Sequence, residues 1–188
     1  MSNSKIKIKH HRNNYSKETL LENNLPKHPV KLFEAWMNIA VAKDLKEPNA
    51  MLFSTANSKG KPSSRIVLLR DFDEKGFVFY TNYSSNKGKD ILSNPYAAMT
   101  FFWAELEKQV RIEGRIEKVS KSMSDAYFSS RPRESQIGAW ASQQSRVIKN
   151  RQELDKRVEN LTKKFEGKPV PRPDHWGGYR LRPDRIEF

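Results

Sequence analysis

The 188-residue chain contains no cysteine, which removes disulfide frameworks, thiolate metal sites and thiol nucleophiles at once. Long apolar runs are missing too. No stretch approaches the roughly 18 consecutive apolar residues that a helical membrane span requires. The basic N-terminus, MSNSKIKIKHHRNNYSK, lacks the apolar core of a secretory signal. With nothing directing the chain elsewhere, a cytoplasmic location is expected. Histidine is sparse: His10 and His11 lie in a polar terminal stretch, and His28 and His175 stand alone. The ligand clusters that zinc needs are absent, so no metal is expected. Also absent are G-x-S-x-G, the Walker loop, H-E-x-x-H and G-x-G-x-x-G.

Acidic residues are outnumbered, 22 against 35 lysines and arginines, leaving a net charge of +13. Such an excess invites a nucleic-acid reading. The cations are nevertheless spread along the whole chain, with no helix-turn-helix, zinc-finger or RNP-like motif. A basic surface that attracts small phosphorylated ligands accounts for the charge equally well. The missing motifs weigh against nucleic acid as the main partner.

What is present reads as one domain with a polar arm. Residues 1–28 lack apolar periodicity and are expected to be a flexible arm; residues 29–188 form the folded domain. Leu32, Phe33, Trp36, Met37, Ile39 and Ala40 recur at helical spacing behind Pro29, predicting a helix that ends near Lys46. AMLFSTA (50–56) and SSRIVLLR (63–70) flank the hairpin turn NSKGK. DFDEKG (71–76) reads as a further turn into FVFYT (77–81), and SSNKGKDILSNP as a short helix. AAMTFFWA and QVRIEGRIEKVS read as strands. The second alternates Val110, Ile112, Gly114 and Ile116 against Arg111, Glu113, Arg115 and Glu117, with Gly114 suggesting a bulge or bend. Helices are expected over 121–130 and 150–167, the latter carrying the stripe Leu154, Val158, Leu161 and Phe165. The final WGGYRLRPDRIEF resumes strand character. Short consecutive strands with helices at intervals predict an α+β fold, an antiparallel barrel decorated by helices.

Three places could meet an anion. Arg65 and Arg70 bracket the apolar strand RIVLLR; strand ends facing solvent would look the same. Tyr80 and Thr81 end a strand just before Ser85 and Lys87 at a helix start, where backbone N–H groups, hydroxyls and an ammonium suit phosphate. Arg131, Arg133 and Ser135 sit together in SSRPRESQIGAW, which could equally be an exposed loop. Three such sites in one small chain fit a protein holding a phosphorylated cofactor and a phosphorylated substrate. Tyr80, Tyr127, Trp140 and Trp176 could flank flat rings or simply fill the core.

Taken together, RIVLLR, FVFYTNYSSNKGK, LEKQVRIEG, YFSSRPRESQIGAWAS-QQS and WGGYRL resemble, in order and spacing, the pyridoxamine 5′-phosphate oxidases, from about Arg12 to Phe188. That resemblance implies an FMN-binding split β-barrel, Greek-key-like and flanked by helices, working as a homodimer with flavin at the subunit interface. It implies oxidation of pyridoxamine or pyridoxine 5′-phosphate to pyridoxal 5′-phosphate, with oxygen accepting the electrons. By position it assigns to FMN Arg65, Tyr80, Thr81, Ser85, Asn86 and Lys87. The strand Ile66, Val67, Leu68, Leu69 and Arg70 would lie along the cofactor. Gln109 would reach the partner subunit's flavin, and Gln144, Ser145 and Trp176 would complete the cradle. Arg70, Tyr127, Arg131 and Ser135 would grip the substrate phosphate. Arg12 and Tyr15 match an R-x-x-Y element of a lid over the substrate and are the catalytic candidates.

The chain departs from the family pattern in three places. Position 70 is arginine where lysine is usual, so a fork replaces a point charge. Position 86 is asparagine where an arginine usually faces the FMN phosphate. Beyond I-E-F the family continues with W-Q-G and R-L-H-D-R, and this sequence stops at Phe188. The rival expectations are therefore a flavin or B6-phosphate binder with little or no turnover, and a flavin reductase on the same barrel.

Overall fold

The computed structural model describes residue 12 and residues 14–188. Its frame is one antiparallel sheet of seven strands: β1 (Ala50–Ala56), β2 (Pro62–Leu68), β3 (Asp71–Asp73), β4 (Gly76–Asn82), β5 (Tyr96–Trp103), β6 (Lys108–Lys118) and β7 (Trp176–Glu187). Their spatial order is β2-β1-β5-β6-β7-β4-β3. The two edge strands, β2 and β3, are thus consecutive in the chain, and the link between them spans the split where the curled sheet nearly closes. Leu69 N there donates to Asn49 O and Arg70 N to Val78 O, tying the β1 side to the β4 side. The expected α+β split barrel is the observed fold.

Strand alternation does what the sequence promised. In β6, Val110, Ile112, Gly114 and Ile116 are buried while Gln109, Arg115 and Glu117 face solvent. The β6–β7 register shifts between Glu113 and Gly114. A Cβ on Gly114 would lie 2.0 Å from Arg182 O, so only glycine admits this approach of two backbones.

Five α-helices decorate the described sheet: α1 (Pro29–Ala42), α2 (Asn86–Ser93), α3 (Lys121–Ser130), α4 (Arg133–Ala141) and α5 (Arg151–Lys164). The α1 helix turns Val30, Phe33, Met37 and Ala40 into the main core with Phe53, Phe77, Phe79 and Phe101. It stops four residues before the expected Lys46. Asp44 adopts φ 53°, and Leu45 N and Asp44 N donate back to Ala40 O and Val41 O, the double bond of a Schellman stop. The expected strand 63–70 ends at Leu68, because Leu69 and Arg70 leave β2 for the two cross-links at the split. DFDEKG is more than a turn: its first three residues pair with β4 as β3. The last helix is shorter than the expected 150–167, with Asn150 outside it as a cap whose side chain accepts from Glu153 N. Phe165 is its C-cap and packs in a second core with Phe128, Ile137, Val170 and Trp176.

Candidate functional site

A cavity of about 820 Å³ opens where β2, β4, α2, α4 and the start of β7 meet. Small-molecule sites commonly occupy roughly 300–1,000 Å³. Its walls carry Arg65, Arg70, Lys87 and Arg131, and no aspartate or glutamate lines it among the described residues. A cleft with four cations and no carboxylate is built for anions.

One end is organised around Lys87 and Arg65. Lys87 is 7% exposed, yet no carboxylate pairs with it among the described residues. Its Nζ donates instead to Thr81 Oγ1 at 3.2 Å, Gln144 Oε1 at 3.1 Å and Ser85 Oγ at 3.4 Å. Loss of solvent, with Arg65 adding repulsion, pulls the Lys87 ammonium down to about 8. Burial also lowers the Arg65 guanidinium. The α2 helix sets this end by close approach: a Cβ on Gly88 would lie 2.0 Å from Tyr83 O. Ser85 caps α2, its hydroxyl donating to Asn82 O at 2.7 Å while accepting from Gly88 N at 3.3 Å. That hydroxyl is buried, and Ser85 does not line the cleft.

A testable consequence concerns pH. An unfolded lysine titrates near 10.5, whereas Lys87 in the folded chain titrates near 8. Between those values the unfolded chain binds a proton that the folded chain does not, so this residue makes ligand-free stability rise with pH. Melting curves of the ligand-free protein and Lys87→Met at pH 7.5 and 9.5 check it: the variant's advantage at the lower pH should shrink at the higher one.

The other end belongs to Arg131 and Arg70. The Arg131 guanidinium lies 4.5 Å over the Trp176 ring and 5.6 Å from that of Phe128. Its Nη1 is buried with no hydrogen-bond partner among the described residues. Burial lowers its pKa, and nearby Arg70 lowers it further, while the Tyr127 charge opposes the change. Gln136 holds the Arg131 backbone by donating to its carbonyl at 2.9 Å, as well as to Phe128 O and Ser129 O. Tyr127 and Tyr80 stack with centroids 3.8 Å apart, and Trp176 lies nearly parallel 5.7 Å from Tyr80. Loss of solvent pushes the Tyr80 phenol up to about 12, keeping it neutral.

The fold brings Arg65, Ile66, Val67, Leu68, Arg70, Tyr80, Thr81, Asn86, Lys87, Tyr127, Arg131, Ser135, Gln144, Ser145 and Trp176 into this single cleft. Leu69 is buried beside it in the main core. Gln109 lies elsewhere, exposed on β6 opposite Phe102. Tyr15 lines a separate pocket with Trp36, Lys108 and Phe188, and Arg12 is exposed outside both. Part of the arm has fixed partners: Ser16 N and Lys17 N donate to Glu107 Oε2 at 2.8 and 2.9 Å, and Glu18 pairs with buried Lys108. Residues 1–11 and 13 of the expected arm lie outside the described residues.

One expected anion ligand is reassigned. SSRPRESQIGAW is no loop, since Arg133 begins α4. Its guanidinium donates to Phe165 O and to Lys168 O at 3.0 Å, binding the end of α5 rather than lining the cleft. Trp140 likewise faces away, donating to Pro171 O at 2.7 Å. Sequence reasoning missed Ser63, Asn82, Gly138, Ala139 and Ser142 on the cleft wall. Only Ser63 left a signal, standing two residues before Arg65 on the same strand face.

Comparison with known proteins agrees with this architecture. A family profile described as Pyridoxamine 5′-phosphate oxidase matches residues 37–165. A pyridoxine/pyridoxamine 5′-phosphate oxidase of Acaryochloris marina is 52% identical over 177 residues, covering 94% of this chain and 81% of that protein. The crystal structure of PhzG from Burkholderia lata, in complex with tetrahydrophenazine-1-carboxylic acid, superposes with a TM-score of 0.85. It is 28% identical and covers 90% of this chain and 84% of that one. An FMN-binding protein related to pyridoxamine 5′-phosphate oxidase, from Nostoc punctiforme, shares the fold with a TM-score of 0.66 at 16% identity, covering 86% of this chain and 84% of its own. A split barrel with a carboxylate-free cationic cleft, and half its residues shared with a curated oxidase, belongs to the pyridoxamine 5′-phosphate oxidase family.

Proposed function

We propose that the protein is an FMN-dependent oxidase that converts pyridoxamine or pyridoxine 5′-phosphate to pyridoxal 5′-phosphate, with oxygen as electron acceptor. The observation that carries this reading is the division of one carboxylate-free cleft into two cationic ends, Arg65 with Lys87 and Arg70 with Arg131. Two such ends suit two phosphorylated rings. The residues present also fit the cofactor: a buried ammonium ringed by neutral acceptors lacks an anion, and a phosphate supplies it.

FMN, when bound, supplies two-electron acceptance that no side chain here offers. The chain's own residues bind, orient and exclude water. In this reading Arg65, Lys87, Thr81 and Gln144 hold the cofactor phosphate, while Tyr80, Ser145, Trp176 and the Ile66–Leu68 strand flank its rings. Arg70, Arg131, Tyr127 and Ser135 hold the substrate phosphate. Anchoring both partners by their phosphates sets the two rings against each other and turns an encounter into an oriented, near-unimolecular step. Tyr15 lies in a separate pocket and Arg12 outside the cleft, so in this reading their lid role requires the arm to move over the bound substrate. Asn86 contributes no charge to the FMN phosphate, leaving Arg65 and Lys87 as its cations.

The same reading includes a homodimer. The outer sheet face leaves Leu52, Ile66 and Phe102 exposed by 41%, 65% and 59%, and Ile66 also lines the cleft. Gln109 shares that face beside Phe102. A second copy seated there would cover these side chains and carry Gln109 toward the partner's cleft. Among the described residues no helix is long and apolar enough to cross a membrane, and the proposed location is the cytoplasm.

Lys87 gives the cofactor step a pH dependence of its own. Its charge is present below about 8 and lost above, so FMN affinity falls as pH rises through that value. Fluorescence titration at pH 7 and 9 reads this directly. The function itself is tested by aerobic incubation of the FMN-saturated protein with pyridoxine 5′-phosphate. Accumulation of pyridoxal 5′-phosphate over many turnovers is expected. Tight FMN binding without product would leave a binding protein instead.

A further inference from the structure

We propose that Thr55 and Asp90, neither of which lines the cleft, form a relay that aims the Arg65 guanidinium at the cofactor phosphate. The proposal rests on the reading of the Arg65–Lys87 end given above. Arg65 of β2 stands opposite Phe53 of β1, and Thr55 lies two residues further along β1, opposite Ser63. Strand alternation puts Thr55, Ser63 and Arg65 on one face.

The hydrogen-bond chain has only one consistent direction. Thr55 Oγ1 lies 2.7 Å from Asp90 Oδ2. An ionised carboxylate can only accept, so the threonine hydrogen points to Asp90. The remaining lone pairs of Oγ1 then face Arg65, whose Nη1 donates to it at 2.8 Å. Nη1 also approaches Phe53 O at 3.4 Å, and Nη2 donates to Ser63 Oγ at 2.7 Å. A guanidinium carries five N–H donors. Three are thereby engaged, and Nε–H with one Nη2 hydrogen remain without a partner among the described residues. They are what the cleft offers an anion.

The relay also joins the two cations of the site. Asp90 belongs to α2, the helix whose first turn carries Lys87. Thr55 is 3% exposed, so water does not compete for its hydroxyl. Asp90 makes no salt bridge among the described residues, and its charge acts favourably on Arg65. A carboxylate kept behind a hydroxyl fixes the guanidinium without occupying the face that the phosphate needs. Direct contact between Asp90 and Arg65 would neutralise that face.

The test compares FMN with riboflavin, which has the same rings and no phosphate, by quenching of flavin fluorescence. Thr55→Val keeps the shape and removes both hydrogen bonds. It should weaken FMN roughly tenfold or more, leave riboflavin within about twofold, and be rescued by Thr55→Ser. Asp90→Ala should weaken FMN selectively, and the double variant should lose no more than Thr55→Val alone. Equal losses for both flavins, or additive losses in the double variant, would overturn the relay. Should Thr55→Val fail to fold, the FMN-to-riboflavin ratio of Asp90→Ala decides alone. A wild-type protein that binds FMN no tighter than riboflavin would instead sink the phosphate reading of this end.

Discussion

Replacing Arg131 by alanine lowers kcat/KM for pyridoxine 5′-phosphate by roughly two to three orders of magnitude and leaves FMN affinity nearly unchanged. The Arg131 Nη1 is already desolvated and has no partner among the described residues, so much of the cost of burying it is met before substrate arrives. A phosphate reaching it gains a charge-assisted hydrogen bond in a site where no carboxylate competes. The guanidinium also packs over the Trp176 ring, 4.5 Å from its centroid, and its backbone carbonyl is held by Gln136. Little conformational freedom is left to lose on binding. Arg131→Lys keeps the charge but neither the fork nor the stacking, and should recover only part of the activity. Steady-state kinetics on pyridoxine 5′-phosphate and on unphosphorylated pyridoxine separate the roles. A loss confined to the phosphorylated compound supports the phosphate grip. A loss equal for both would mean that Arg131 matters only by packing Trp176.

The second large effect concerns the barrel itself. Phe33→Ala destabilises the protein by about 3–5 kcal/mol, read as a lower urea midpoint at unchanged slope. Phe33 is fully buried, and its ring meets Phe72, Phe77 and Phe101 edge-on, each with centroids 5.0 Å away. Those three partners come from β3, β4 and β5, so one side chain of α1 joins the split edge of the sheet to its middle. Surrounding strands are hydrogen-bonded in place and cannot collapse into the space left behind. A loss below 1 kcal/mol would show that α1 is a peripheral decoration rather than the plug of the barrel.

Local rules made much of this fold legible. The two-residue alternation of β6, the helical stripe of α1 and the bend at Gly114 each depend on neighbours within a few positions, and each stands in the structure as read. The ends of elements were less legible. Asp44 stops α1 through a left-handed turn that no glycine announced. The anion sites divide along the same line. Arg65, Thr81 and Lys87 could be marked from strand ends and a helix start, because those features are local. Local pattern alone could not tell Arg131 from Arg133, since they differ only in what lies beside them; only the family resemblance singled out Arg131. Arg133 meets the carbonyls that end α5, more than thirty residues later, whereas Arg131 meets Trp176 on β7. Likewise Lys108 is buried against Trp36 and Glu18 although nothing in its own strand calls for it.

By itself the sequence determined most of the elements, though not β3 or α4, together with the buried faces and the supply of cations. Tertiary structure decided which cations share a cleft. The physical reason is register: pairing of β4 with β7 sets Tyr80 against Gly178 and so brings Trp176 beside it, and pairing of β1 with β2 sets Thr55 beside Arg65. A shift of either ladder by one residue would turn these side chains to the opposite face and leave the same residues with no common site.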